Sequence, residues 1–344
     1  MKEAHLRESN IEILRILSMV MILCVHFDGA ALGLENPMTL ANIGNLGVVS
    51  RQLVESITII GVNCFVLISG YFGIKVTVKG LVNFLMCCLF YSIGIYGLKM
   101  IAKPDTITLN NIWQSVAILT KTDLWFVPAY FVLYILSPMI NNGLERFSNK
   151  IFTIFLIGLV FINIYLGWMV GGNVNPTGYN AMQMIFIYVI GRYIARYNEE
   201  LSNCRFRKYY ILAFVTSVML IFMSTFLMSS REAFAYNSPF VVLSAVSFFL
   251  IFTTFKLFSV KINYIATSVF AVYLIHKMPP VWGELRHLVV YMSNNYQVFV
   301  FALLWIALLI LVFAVCIMID KVRLAMMTPI QNWVADKIGH AIEK

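Results

Sequence analysis

The chain has 344 residues, 60% of them hydrophobic and 12% charged, and a formal net charge of +9. An ordinary soluble domain is about 25% charged, so a water-soluble globular fold is excluded and the chain reads as an all-α integral membrane protein. The six cysteines (Cys24, Cys64, Cys87, Cys88, Cys204, Cys316) lie mostly in apolar runs without metal-ligand or disulfide spacing, and read as packing residues.

In chain order, apolar runs of membrane-crossing length fall at about 11–27, 52–71, 80–101, 124–141, 151–170, 181–195, 209–228, 239–259, 264–281 and 297–319. This predicts ten transmembrane helices. The first run lacks a small-residue cleavage site after it and reads as a retained span rather than a signal peptide. Ser9 with Glu12 three residues on predicts a capping box that starts helix one before Ile11. The ninth run holds the Pro279-Pro280 pair, which should end or kink it.

Cations fix the orientation. With the N-terminus inside, the inner loops hold Lys2 and Arg7, Lys75 and Lys79, Arg146 and Lys150, Arg196, Arg205, Arg207 and Lys208, Lys261, Lys321 and Arg323. The outer loops hold only Arg51, Lys103, Lys121, Arg231 and Arg286. Both termini are therefore expected in the cytoplasm. This inside bias also accounts for the basic balance, because the cations are spread over every inner loop, so no nucleic-acid partner is expected. Residues 1–328 are predicted to form one membrane domain. Residues 329–344, with Ile330, Trp333, Val334, Ile338, Ala341 and Ile342 largely on one face and Asp336, Lys337 and Glu343 off it, are predicted to form a cytoplasmic amphipathic tail in the inner interface.

The polar residues of helix one stand out. Arg15 and His26 are eleven positions apart, about three helical turns, which puts both on nearly one face roughly 16 Å apart along the axis. Ionisable groups inside a span are costly and usually face a cavity or the bundle interior. A plainer reading pairs Arg15 with Glu12 and leaves both it and His26 as interfacial anchors. By depth, His26 shares the outer half with Glu55, His276 and Trp125, while Arg15 shares the inner half with the Ser69-Gly70-Tyr71 turn and Arg192. A histidine suits general-base work on a hydroxyl, and an inner cation suits a phosphate-bearing cytosolic ligand. No P-loop, GxGxxG, HExxH or GxSxG motif is present.

Four segments carry a family resemblance. Arg15-x10-His26 within SNIEILRILSMVMILCVHF resembles the opening helix of the acyltransferase-3 family of bacterial membrane acyltransferases. VNCFVLISGYF (Val62–Phe72) is similar to that family's second helix, and LWFVPAYFVLYILSPMI (Leu124–Ile140) and VYLIHKMP (Val272–Pro279) are similar to its later segments. Asn63 and Cys64 depart from the pattern where a second aromatic is more usual, and no fused extracytoplasmic domain is seen. The resemblance implies a multi-pass protein of the bacterial inner membrane that moves an acyl group, commonly acetyl, from acyl-CoA to a hydroxyl of an envelope polysaccharide or lipid-linked sugar. It implies His26 as catalytic base and Arg15 as a contact of the coenzyme A thioester, a donor whose pantetheine arm is of the same order as the ~16 Å rise between them. Glu55 and His276 join the catalytic candidates, and Ser69, Tyr71, Trp125 and Arg192 the substrate-binding ones. No metal is expected. Membrane lipid, the glycan acceptor and the glycan-synthesis machinery are the expected partners. The rival readings are a transporter or flippase for a glycan or lipid-linked glycan precursor, which short loops and several intramembrane charges also fit, and a non-catalytic partner of a polysaccharide synthase, which would leave Arg15 and His26 dispensable.

Overall fold

The computed structural model describes residues 8–120, 123–172 and 174–342. Lys2, Arg7, Lys121 and Glu343, counted in the orientation and tail readings, lie outside the described residues. The chain is helical, with no strand among the described residues, and six helical stretches there are long and apolar enough to cross a membrane: Ser9–Ala30, Leu46–Phe72, Val78–Ala102, Asn149–Met169, Cys204–Ser224 and Val298–Ala341.

Helix α1 (Ser9–Val25) runs on into a π-helical turn, His26–Ala30. The capping box is not formed. Glu8 is the N-cap and makes no side-chain cap bond. The Ser9 hydroxyl instead donates to Asn263 Oδ1 at 2.8 Å and accepts from the Ser259 amide at 2.8 Å. A tertiary contact has taken the capping oxygen, and Glu12 pairs with Arg15 at 3.0 Å. The second predicted segment is two helices, α2 (Leu46–Thr58) and α3 (Gly61–Phe72), joined by a turn at Ile59 and Ile60. Then come α4 (Val78–Ala102), the short α5 (Leu109–Val116), α6 (Phe126–Arg146) and α7 (Asn149–Val160), the last extended by the π-helix Phe161–Met169.

Helix α8 (Ala181–Arg196) is 16 residues long and packs closely on α3. The reason is a pair of glycines. A Cβ on Gly191 would lie 2.6 Å from the Leu67 carbonyl oxygen, and one on Gly70 would strike the Tyr188 backbone, so only Gly lets the two backbones approach this closely. Helices α9 (Asn198–Leu201), α10 (Arg207–Ser224), α11 (Ser230–Ala233) and α12 (Pro239–Thr253) follow. The ninth predicted segment is broken into α13 (Val260–Ala266) and α14 (Val269–Lys277), with Thr267 and Ser268 between them. Pro279 ends that run as expected: Met278 is extended and Pro279 is the first residue of α15 (Pro279–Asn295), where its missing N–H costs nothing. Helix α16 (Val298–Ile342) continues through Pro329.

The buried core joins α1, α3, α4, α6, α8, α12 and α14. Helix α1 lies at its centre, touching α2, α3, α12, α13, α14 and α16. That placement explains why its ionisable residues can be enclosed by protein rather than lipid.

Candidate active site

One face of α1 lines two cavities in succession. Arg15 borders the first, of about 310 Å³. Met19, Ile22 and His26 border the second, of about 20 Å³. Positions 15, 19, 22 and 26 recur at helical spacing, so the face shared by Arg15 and His26 is the face that looks into both spaces. The two cavities meet at a ring of three aromatics, Phe65 of α3, Phe126 of α6 and Phe270 of α14, which belong to both linings.

In the larger cavity, Arg15 is held from one side by Glu12 and lies 5.6 Å above the Phe65 ring. Its side chain remains 24% exposed, leaving guanidinium N–H groups available to a ligand. Tyr130 lines the same cavity, and its hydroxyl is 3.3 Å from Ser69 Oγ. Ser69 thus reaches the cavity through Tyr130. Thr267, in the break between α13 and α14, also faces it.

At the wall of the smaller cavity, His26 is backed by His276. Nδ1 of His26 lies 2.7 Å from Nε2 of His276, and Nδ1 of His276 lies 2.5 Å from the Val272 carbonyl oxygen. A carbonyl can only accept, so the hydrogen of neutral His276 is on Nδ1 and its Nε2 presents a lone pair. His26 must then donate from Nδ1, which leaves its own Nε2 unprotonated. A proton arriving at Nε2 makes His26 an imidazolium still bonded to His276. His276 is fully buried, and Trp282 of α15 packs beside His26 with ring centroids 5.8 Å apart.

Trp125 completes this wall. Its ring sits 5.6 Å from that of Tyr236 and 4.9 Å from that of Tyr179. Tyr236, in the loop before α12, also lines the cavity and is fixed through its carbonyl, which accepts from Asn63 at 2.9 Å and from Gln183 at 2.7 Å. The departure at Asn63 therefore has a structural reason: the amide anchors a cavity residue from a distant loop. Cys64 is a packing residue, buried with its thiol toward the Ala245 carbonyl.

The structure brings together His26 and Trp125 at one cavity, with His276 behind His26, and Arg15, with Ser69 behind Tyr130, at the next. It does not bring the other three candidates there. Glu55 is buried behind the π-turn, where a Cβ on Gly29 would be 3.0 Å from both carboxylate oxygens. Tyr71 donates to Asn198 Oδ1 at 2.9 Å and packs on Phe249. Arg192 lies under the Gly73 turn, whose φ of +72° favours glycine, with Nη1 2.7 Å from where a Cβ would stand. Tyr130, Tyr236, Tyr273 and the three-phenylalanine ring are cavity residues that sequence reasoning missed. Phe126 and Tyr130 are four apart on one helix face and could have been found by that spacing.

A family model described as an acyltransferase domain matches residues 8–321. The chain belongs to this acyltransferase-3 family, and it is a membrane acyltransferase. No curated protein and no solved structure matches it.

Proposed function

We propose that this acyltransferase transfers a short acyl group, most simply acetyl, from coenzyme A to a hydroxyl of a cell-envelope glycan or lipid-linked sugar in a bacterial inner membrane. The observation that carries the reading is the pair of cavities on one face of α1, cationic at Arg15 and imidazole-bearing at His26, joined at Phe65, Phe126 and Phe270. The donor enters beside Arg15, which contacts its phosphate or amide groups, with Ser69 and Tyr130 alongside. The pantetheine arm passes the aromatic ring and delivers the thioester to His26. The small size of this cavity, about 20 Å³, supports a short acyl chain over a long one.

His26 Nε2 accepts the proton of the acceptor hydroxyl as its oxygen attacks the thioester carbonyl. The carbon–sulfur bond breaks, and the thiolate takes the proton, giving the ester and free coenzyme A. His276 keeps His26 in the productive tautomer and supports its transient charge, the part a carboxylate plays in a serine-protease triad. The reading places both termini in the cytoplasm, ten crossings in the membrane, and residues 329–344 along its inner surface, with the acceptor arriving at the His26 end.

The test is acetyl-CoA turnover by the purified protein in nanodiscs. Wild type should release coenzyme A and acetylate a hydroxylated acceptor, and His26→Gln should be slower by about 10²–10⁴. Turnover that survives His26→Gln at the wild-type rate overturns the reading.

A further inference from the structure

A third cavity, of about 260 Å³, opens between the first turns of α2 and α16 and the end of α15, and shares no lining residue with the His26 site. Its walls divide by chemistry. Asp28 and Arg51 stand at its polar end, and Val54 of α2 lines it with Phe301, Trp305 and Ile306 of α16. Ile306 and Ala302, which also lines it, are exposed on the flank of α16, so the cavity opens sideways, where hydrocarbon would lie.

The polar end holds an acid and a base that do not pair. Asp28 is 3% exposed and its Oδ2 makes no hydrogen bond. Arg51 is held by one bond, from Nε to the Gly47 carbonyl at 3.2 Å, so its outer guanidinium nitrogens remain for an anion. Neither residue belongs to an ion pair among the described residues. The Trp305 indole N–H, at the apolar wall, is buried without a partner as well. Groups buried in this way cost free energy unless something supplies the missing partner. The missing partners are of three kinds: a cation for Asp28, an anion for Arg51 and a hydrogen-bond acceptor for Trp305. A purely anionic ligand would leave Asp28 unanswered, and a purely cationic one would leave Arg51. A zwitterion with an apolar tail answers all three and adds no net charge.

We propose that this cavity seats one membrane phospholipid with a primary-ammonium headgroup, the chemistry of phosphatidylethanolamine. Its ammonium donates to Asp28 Oδ2, its phosphate accepts from Arg51, and the Trp305 N–H donates to a phosphate or ester oxygen. One acyl chain lies along Val54, Phe301 and Ile306. A choline headgroup carries the same charges but has no N–H to give to Asp28, so it binds less well. The lipid is a bound component of the fold, neither donor nor acceptor, and the site stands whatever reaction His26 performs.

The test is native mass spectrometry of the delipidated chain in detergent, with dioctanoyl phosphatidylethanolamine, phosphatidylcholine and phosphatidylglycerol as probes. Wild type should hold one phosphatidylethanolamine at least about tenfold more tightly than either of the others, the size of one charge-assisted hydrogen bond. Asp28→Asn should remove most of that preference, and Arg51→Gln should weaken all three, because each carries a phosphate. Ala302→Trp, which fills the cavity from its lipid side, should abolish one-to-one binding. Thermal unfolding identifies any variant that fails to fold. The ranking by wild type and the change at exposed Ala302 keep the test decisive if the buried variants do fail. No one-to-one binding by wild type, or equal binding of phosphatidylethanolamine and phosphatidylcholine, overturns the proposal. Phosphatidylglycerol held as tightly as phosphatidylethanolamine makes this an anion site and overturns it too. So does a preference undiminished by Asp28→Asn, or binding that survives Ala302→Trp.

Discussion

Replacing His276 by phenylalanine keeps a flat, buried ring of similar size and removes two hydrogen bonds, the one from His26 Nδ1 at 2.7 Å and the one to the Val272 carbonyl at 2.5 Å. In the resting enzyme the bond from His26 is between neutral groups. In the proposed mechanism it becomes charge-assisted once His26 has taken the acceptor's proton, which is when it matters most. A hydrogen bond to a charged group contributes about 1.5–3 kcal/mol, so His276→Phe should lower kcat about 10- to 150-fold. The KM for acetyl-CoA should hardly move, because Arg15 and its cavity are untouched. His276→Gln can still accept from His26 and donate to Val272, so it should recover part of the loss. The assay is steady-state acetyl-CoA turnover in nanodiscs over a pH series, with thermal unfolding as a check on folding. The proposed base works in its neutral form, so the rate should fall as pH falls, and this acid limb should vanish in His26→Gln. A wild-type kcat for folded His276→Phe, or a change confined to KM, would refute the relay between the two histidines.

Arg15→Ala should weaken coenzyme A binding measured by calorimetry, and Arg15→Lys should rescue it only in part, because lysine lacks the planar fork that pairs with phosphate. Phe270→Ala widens the ring between the two cavities and should raise butyryl-CoA turnover relative to acetyl-CoA; an unchanged ratio would mean that the ring does not select the acyl group. Gly191→Val should lower the melting temperature sharply, since its Cβ would lie 2.6 Å from the Leu67 carbonyl and overpacking costs about 1–3 kcal/mol. Reporter fusions at Lys75, Asn203 and the C-terminus should read as cytoplasmic and one near Asn36 as external; an external C-terminus would reverse the assigned entry sides.

The part of the site that follows one helix was legible from spacing alone. Arg15, Met19, Ile22 and His26 share a face because backbone geometry dictates it, and no other element need be known. What depended on contacts between elements was not. Ser9 has the residue type and spacing of a cap, yet Asn263 and Ser259, some 250 positions away, compete successfully for its hydroxyl. Depth along the membrane put Glu55 level with His26 and Arg192 level with Arg15, but depth does not fix rotation about the helix axis. One proved to lie behind the π-turn and the other under Gly73. Depth succeeded for His276 because α14 touches α1 directly. Tyr236 could not have been read at all, since its place is set by amides at Asn63 and Gln183 on two other helices.

The stripe from Arg15 to His26 is also a ruler. Its graduations are helical residues of about 1.5 Å and 100° each, so the reach between the proposed donor anchor and the proposed base is quantised. Point substitutions change what stands at either end but cannot alter the interval. Inserting one residue between them would turn His26 about 100° away from the seam while adding only about 1.5 Å, separating the two cavities' chemistry. Inserting seven would bring it back to within about 20° and lengthen the span by roughly 10 Å. If Arg15 anchors the donor, a relative adapted to a longer or shorter donor arm would therefore differ by whole turns of its first helix, and a chain keeping an offset of eleven from arginine to histidine would be held to donors of one arm length.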